Sequence, residues 1–231
     1  YAQSGGFLNK TGEIAPGFED VRIAWGDYNN DGYVDCLAGQ DLWENRGGDV
    51  FTLRESGLGK GLWGDFNNDW RLDIYSYKKH SLYENNSTQH STSFNIKDMP
   101  TLPMGSTRGA SWADHDNDGY VDLYVGGWET PGYQPDAILR NNQTGGFTKT
   151  WQQSGDIDPA RGITSCDFDN DGDLDIYVSN YRLEANILWQ NDGNGNFENV
   201  AHSKGVAGDY DGWSYSYGHT IGSGWGDLDN D

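Results

Sequence analysis

A nine-residue pattern of oxygen-bearing side chains recurs along this chain, with the spacing a hard cation requires. Asp27, Asn29, Asp31 and Asp35 form the first copy, and Asp65, Asn67, Asp69 and Asp73 the second. Asp114, Asp116, Asp118 and Asp122 form the third, and Asp167, Asp169, Asp171 and Asp175 the fourth. Asp227, Asp229 and Asp231 begin a fifth where the sequence stops. Calcium takes six to eight oxygen ligands and favours a tight turn at position 6 with a backbone carbonyl donated at position 7. Those carbonyls belong to Tyr33, Arg71, Tyr120 and Asp173. Asp, Asn and Gly also form ordinary turns, because their side chains bond the local backbone and tolerate unusual dihedrals. One loop could be such a turn. Several loops in one phase, each crowding carboxylates that repel one another, point to structural calcium instead.

The loops are not equal. The third and fourth each offer four carboxylates with Gly at position 6, and the first replaces one carboxylate with Asn29. The second has Asn67, places Trp70 where Gly is wanted and adds the charge of Arg71. A bulky residue in the left-handed region is strained, so Trp70 is either strained or turned differently. The second loop should be the weakest or empty site. His115, at position 2 of the third loop, is expected to point outward.

Composition narrows the class. The 231 residues carry 36 acidic and 15 basic side chains, a formal charge of −21, and 17 of the carboxylates sit at positions 1, 3, 5 and 9 of the five motifs. Without cations such a chain repels itself in the compact state. Nucleic acid is excluded as a partner, since its phosphates demand basic surface, and so are anionic membranes. No apolar run is long enough to span a bilayer. The aromatic share is 14%, with 10 Trp and 14 Tyr, so the core is built largely from rings. No signal peptide is visible and the chain starts at Tyr1, as expected of a processed chain or fragment. Cys36 and Cys166 occupy apolar or small-residue slots in different repeats and read as core fillers, a bridge between them being the alternative.

Similarity extends beyond the loops. Trp25-Gly, Trp63-Gly, Trp112-Ala, Ser165-Cys and Trp225-Gly precede them. A short alternating strand follows: Asp35-Cys-Leu-Ala, Asp73-Ile-Tyr-Ser, Asp122-Leu-Tyr-Val and Asp175-Ile-Tyr-Val. Next come a strand ending in Asn (Asn45, Asn85, Asn141, Asn191), a polar turn, and a strand headed by Phe51, Phe94, Phe147 or Phe197. Four short strands per 40–60 residues predict an all-β fold, a β-propeller of four-stranded blades with a calcium loop between the first two strands of each. A parallel β-helix would need much shorter repeats. The spans are 1–20 for the end of a blade, then 21–58, 59–105, 106–158 and 159–205 for one blade each. Residues 206–231 hold an insert and the start of the next blade.

The Trp-Gly-Asp-x-(Asp/Asn)-x-Asp-Gly-x-x-Asp block, the Asp-(Ile/Leu)-Tyr-Val strand and the Asn-x-x-Gly-x-Phe turn resemble FG-GAP/VCBS repeats. Gly205-Val-Ala ahead of Trp225-Gly-Asp is similar to the cartilage-acidic-protein-like branch. The resemblance implies an integrin-α-like calcium-binding propeller, extracellular and usually seven-bladed, of which about four and a half blades are visible here.

In a blade with strands A–B–C–D, A–B and C–D turns share one face. That face carries the calcium loops and the sequons of Asn85, Asn86 and Asn142, with Asn9 in the equivalent N-terminal position, all candidate glycan acceptors. The opposite face carries the longest loops. Trp128 and Tyr133, Tyr181 and Arg182, and Trp213, Tyr215, Tyr217 and His219 form its candidate recognition surface. Rings on loops stack on sugars or anchor protein partners, or else simply cover neighbouring blades.

Catalysis finds no signature: the acids repeat in phase, and no nucleophile elbow, His-Glu-x-x-His or phosphate loop occurs. The expectation is a non-catalytic, secreted or cell-surface calcium protein that recognises an extracellular glycan or protein, without membrane insertion. A structural subunit of a matrix or fibre, with self-assembly, is one alternative. An accessory propeller of a larger carbohydrate-active or hydrolytic enzyme is the other.

Overall fold

The computed structural model describes residues 22–47, 50–102, 107–127, 134–155, 157–182, 184–208 and 220–227. Among the described residues, sixteen strands in chain order form four separate four-stranded antiparallel sheets. The first holds β1 (Ile23–Gly26), β2 (Asp35–Ala38), β3 (Asp41–Asn45) and β4 (Phe51–Glu55). The second holds β5 (Gly61–Gly64), β6 (Asp73–Ser76), β7 (Ser81–Asn85) and β8 (Phe94–Lys97). The third holds β9 (Ala110–Ala113), β10 (Asp122–Val125), β11 (Ala137–Asn141) and β12 (Phe147–Gln152). The fourth holds β13 (Ala160–Cys166), β14 (Asp175–Asn180), β15 (Ile187–Asn191) and β16 (Phe197–Asn199). Within each sheet sequence neighbours pair, and between sheets the first strands touch in succession, β1 with β5, β5 with β9 and β9 with β13. Sheets that meet through their first strands are propeller blades, and the described chain is an all-β run of four.

The second strand of every blade is covered on both faces. Ile74 packs with Tyr28, Leu37 and Leu42 of the first blade, whereas its neighbour Tyr75 packs with Leu123, Val125 and Leu139 of the third. The alternation in Asp-Ile-Tyr-Ser therefore sorts side chains between two neighbouring blades rather than between core and water. Burial of this kind stabilises by about 25 cal/mol per Å² of apolar surface removed from water.

The Trp-Gly step shows how consecutive blades fit. A Cβ at Gly26 would meet Leu72 Cδ1 at 2.6 Å, with Trp63 at 3.1 Å, and one at Gly64 would meet Trp112 at 2.7 Å. The small residue makes room for the next blade's indole. Trp63 Nε1 then donates to Ala24 O at 3.1 Å, and Trp112 meets Tyr75 edge-on with centroids 6.2 Å apart. The fourth blade lacks this Trp, carrying Ser165 instead. There Trp151 and Trp189, in edge contact at 5.2 Å, pack about Tyr124 of the third blade, and Trp189 Nε1 donates to Tyr124 Oη at 3.0 Å. Trp225 reaches Tyr177 edge-on at 6.1 Å, so the fifth repeat begins by docking on the fourth blade much as Trp112 docks on the second.

Cys36 is fully buried and Cys166 partly so, and both are free thiols, so the alternative of a bridge is not realised. Burial pushes the Cys36 thiol up to about 12.

Candidate metal loops and their ties between blades

Each complete loop joins the first two strands of its blade and is held by its own carboxylates. In the third loop Asp114 accepts from Asp118 N at 3.1 Å and Gly119 N at 2.8 Å, and Asp118 accepts from Tyr120 N at 2.9 Å. Asp122 accepts from His115 N at 3.2 Å and, across the blade, from Asn141 N at 2.8 Å. The same scheme recurs for Asp27, Asp31 and Asp35 in the first loop and for Asp167, Asp171 and Asp175 in the fourth. These bonds fix the oxygens in place before any ligand arrives.

Two trios converge: Asp114, Asp116 and Asp122, and Asp167, Asp169 and Asp175, each with ligand atoms within 4.8 Å of one another. In the first and second loops position 3 is Asn, so an amide oxygen takes the place of a carboxylate. The position-9 carboxylates Asp35, Asp73, Asp122 and Asp175 have no exposed surface. Burial pushes Asp35, Asp73 and Asp122 up to about 7, against the pull of two backbone N–H donors each, and raises Asp175 as well. One oxygen of Asp116 is buried without a hydrogen-bond partner. Buried carboxylates that remain costly to ionise despite two donors, beside an orphaned oxygen, fit a cation as the missing partner. Asp227 is exposed. Asp229 and Asp231 lie outside the described residues.

The second loop settles which alternative Trp70 takes. Trp70 takes φ +67°, and its N–H donates to Asp65 at 2.9 Å as Gly119 N–H does to Asp114. The turn is therefore preserved and the strain retained; Trp70 does not force a different turn. Its ring is 87% exposed, so it gains little packing in return. Arg71 pairs with Asp69 and donates to Asn85 O at 2.8 Å. Its charge is thus placed on a candidate ligand.

His115 does not point outward. It is 1% exposed, edge-on to Phe197 of the next blade with centroids 6.2 Å apart. Burial lowers its pKa to about 4, and neither ring nitrogen has a hydrogen-bond partner. Tyr28 and Phe66 occupy the same position and are equally buried. Position 2 is an inter-blade core position because the backbone turns inward at the N–H that Asp at position 9 accepts.

The asparagine that ends the third strand proves to be a tie between blades in the second, third and fourth blades, whereas Asn45 of the first donates to Val34 O of its own blade. Asn85 Nδ2 donates to Leu72 O at 2.9 Å within its own blade and to Tyr28 O of the preceding blade at 2.6 Å. Asn141 does the same to Val121 O (3.2 Å) and Phe66 O (2.7 Å), and Asn191 to Leu174 O (3.2 Å) and His115 O (2.9 Å). A second tie runs the other way. Position-4 asparagines, all at φ near +57°, donate to the position-6 carbonyl of the following loop: Asn30 to Trp70 O and Asn68 to Gly119 O, each at 2.9 Å, and Asn117 to Gly172 O at 3.2 Å. Both asparagines recur in phase in the sequence, and that recurrence is the signal by which they could have been found.

The ties correct one glycan candidate. Asn85 is 0% exposed with both amide protons committed, so it cannot accept a glycan in this fold. Asn86 and Asn142 are exposed on their turns, and Asn9 lies outside the described residues.

On the opposite face, Arg161 Cζ lies 4.1 Å over the half-buried Tyr181 ring, and Arg182 is exposed at φ +60°. Thr220 N donates to Asn180 O at 3.2 Å, which brings Thr220 beside Tyr181. Trp128, Tyr133, Trp213, Tyr215, Tyr217 and His219 lie outside the described residues. Buried Asp136, between strands on this side, is pushed up to about 7 by burial; it accepts from Tyr124 Oη and from Gly127 N at 2.6 Å. Tyr75 uses His80 in the same way at 2.7 Å. These acids and imidazoles serve the buried tyrosines of the second strands.

Comparison with known proteins follows the same lines. A comparison with curated proteins finds no match. Among solved structures the chain is similar to an Agrocybe aegerita lectin described as specifically recognising non-reducing terminal N-acetylglucosamine. The identity is 20% and the TM-score 0.49, over 75% of this chain and 49% of that one, so the chain spans about half the length of that structure. The FG-GAP-like repeat family matches residues 65–125 and 126–178. Residues 65–178 of this chain carry FG-GAP-like repeats, and the blades built from them are propeller blades.

Proposed function

We propose that this chain is a non-catalytic, calcium-stabilised propeller, secreted or displayed at the cell surface, that recognises a glycan or protein through the face opposite its calcium loops. The observation that carries this is the in-phase repetition of the acids, each set bonded to the backbone of its own loop and to the next strand of its own blade. A catalytic site is one convergent constellation, whereas these carboxylates recur blade by blade as structural devices. Loaded with calcium, each loop gains a cation that neutralises its carboxylates and pins the first two strands together. Ligands come from Asp at positions 1, 5 and 9 and from Asp or Asn at position 3.

The recognition half rests on the stacked Tyr181 and Arg161, with Thr220 bonded to the neighbouring Asn180 O. Exposed rings and guanidinium groups commonly carry binding energy. The test has two arms. Melting metal-free protein with and without added calcium should separate the midpoints by many degrees, since a ligand of the folded state alone stabilises by mass action; coincident melts would remove the calcium role. Screening the loaded protein against immobilised glycans and extracellular proteins, beside Tyr181→Ala, should lose the hit in the variant while its melt holds. Equal capture by both would move the recognition surface elsewhere.

A further inference from the structure

We infer that the residue immediately before the asparagine ending each third strand sets the calcium affinity of each loop, an inference that rests on the calcium reading above. Glu44, Glu84, Arg140 and Gln190 hold this register on β3, β7, β11 and β15. In three of the four blades the side chain reaches position 3 of its own loop. Asn29 Nδ2 donates to Glu44 Oε1 at 3.0 Å, Gln190 Nε2 donates to Asp169 Oδ2, and Arg140 Nε lies 2.9 Å from Asp116 Oδ2. The Arg140 contact is an ion pair whose N–H is not aimed along the oxygen. In the second blade Glu84 turns to Lys97 at 3.4 Å, and Arg71 of the loop takes Asp69 instead.

The charges exchange places between blades. Where the first loop offers neutral Asn29, the strand supplies Glu44, 2% exposed and held on its other oxygen by Arg46 at 2.9 Å and by Arg54. Where the third loop offers Asp116, the strand supplies Arg140. Glu44, its charge paired with Arg46 and Arg54, accepts the Asn29 amide proton and so orients Asn29 with Oδ1 toward the loop. Arg140 instead places a fixed positive charge against a carboxylate that a cation would need. Gln190 is neutral and only orients Asp169. These are positioning residues outside the nine-residue loop. The consequence is an order that counting loop carboxylates does not give: the fourth loop binds more tightly than the third, and the first binds more tightly than its Asn29 implies.

The test is calorimetric titration of metal-free protein with calcium chloride, comparing wild type, Arg140→Gln, Glu44→Gln and, as a charge-matched control, Lys149→Gln. Lys149 is exposed on β12 and, among the described residues, bonds Gln152 at 2.8 Å. Partners of metal ligands typically change affinity by about 10–100-fold when removed. Arg140→Gln should therefore tighten one class of site by about tenfold or more, and Glu44→Gln should weaken one by a similar factor. Tightening is a change that mere structural damage does not produce, so Arg140→Gln stays informative even if Glu44→Gln fails to fold. Wild type that takes up no calcium overturns the calcium reading and this inference together. Wild type that binds, with Arg140→Gln indistinguishable from Lys149→Gln, overturns the inference alone.

Discussion

Replacing Asn141 tests the ties between blades directly. Its Nδ2 donates to Phe66 O of the second blade and Val121 O of its own, and its Oδ1 accepts from Gln143 N at 2.9 Å, all from a side chain 4% exposed. Asn141→Ala strands the Phe66 carbonyl in the slot between blades, where an unpaired buried group costs about 1–3 kcal/mol. Val121 O and Gln143 N lie nearer to water, and each lost bond there costs about 0.5–1.5 kcal/mol. The total is about 2–6 kcal/mol. A domain of this size shifts its melting midpoint by about 2–4 °C per kcal/mol, so a drop of about 4–24 °C is expected. Asn141→Asp is the sharper variant. It keeps the shape but aims a carboxylate at two carbonyl oxygens, close to Asp122, which accepts the residue's own N–H. It should melt below Asn141→Ala. Differential scanning calorimetry of both, beside exposed Asn86→Ala as control, decides the matter. If Asn141→Ala melts within a degree or two of wild type, or Asn141→Asp above it, the reasoning about the ties is wrong.

Metal-free protein should lose stability as pH rises. Asp35, Asp73 and Asp122 have folded values near 7, above the roughly 3.9 of an unfolded Asp. Their contribution is full below pH ~4 and is lost as pH climbs through about 7, while calcium, which needs them ionised, should gain effect over the same range. Chelator-treated, dialysed protein whose melt is flat or rising from pH 5 to 8 would contradict this. Trp70→Gly should raise the midpoint by about 2–4 °C, because it releases about 1–2 kcal/mol of left-handed strain, partly offset by the freedom of Gly in the unfolded chain, while surrendering a ring that is 87% exposed. A lower midpoint would show that the ring has a packing role. In a secretory host, glycopeptide mapping of the 85–88 and 142–144 sequons should find sugar on Asn86 or Asn142 and none on Asn85; a glycan on Asn85 would mean that its tie to Tyr28 does not form.

The sequence alone determined what is local. The carboxylates at positions 1 and 5 bond backbone N–H groups at most five residues away, and each at position 9 bonds the N–H seven residues back as well as one on the third strand of its own blade, so spacing by itself specifies the loop, and the loop's phase specifies the flanking strands. Repetition of that unit then implied stacked blades. Tertiary structure decided which neighbour each side chain meets. Asn85, Asn141 and Asn191 bond carbonyls 57, 75 and 76 residues away, a destination that turn preference for Asn does not disclose and that removes Asn85 from the glycan acceptors. His115 looked like a loop residue facing water, yet the pull of Asp122 on its N–H turns position 2 into the slot. Trp151 and Trp189 gather about Tyr124 from two blades where Ser165 offers no indole, and Arg140 reaches Asp116 from the third strand. A blade is specified by hydrogen bonds within a few residues, whereas the slot between blades is filled by whichever side chains two distant repeats bring to it.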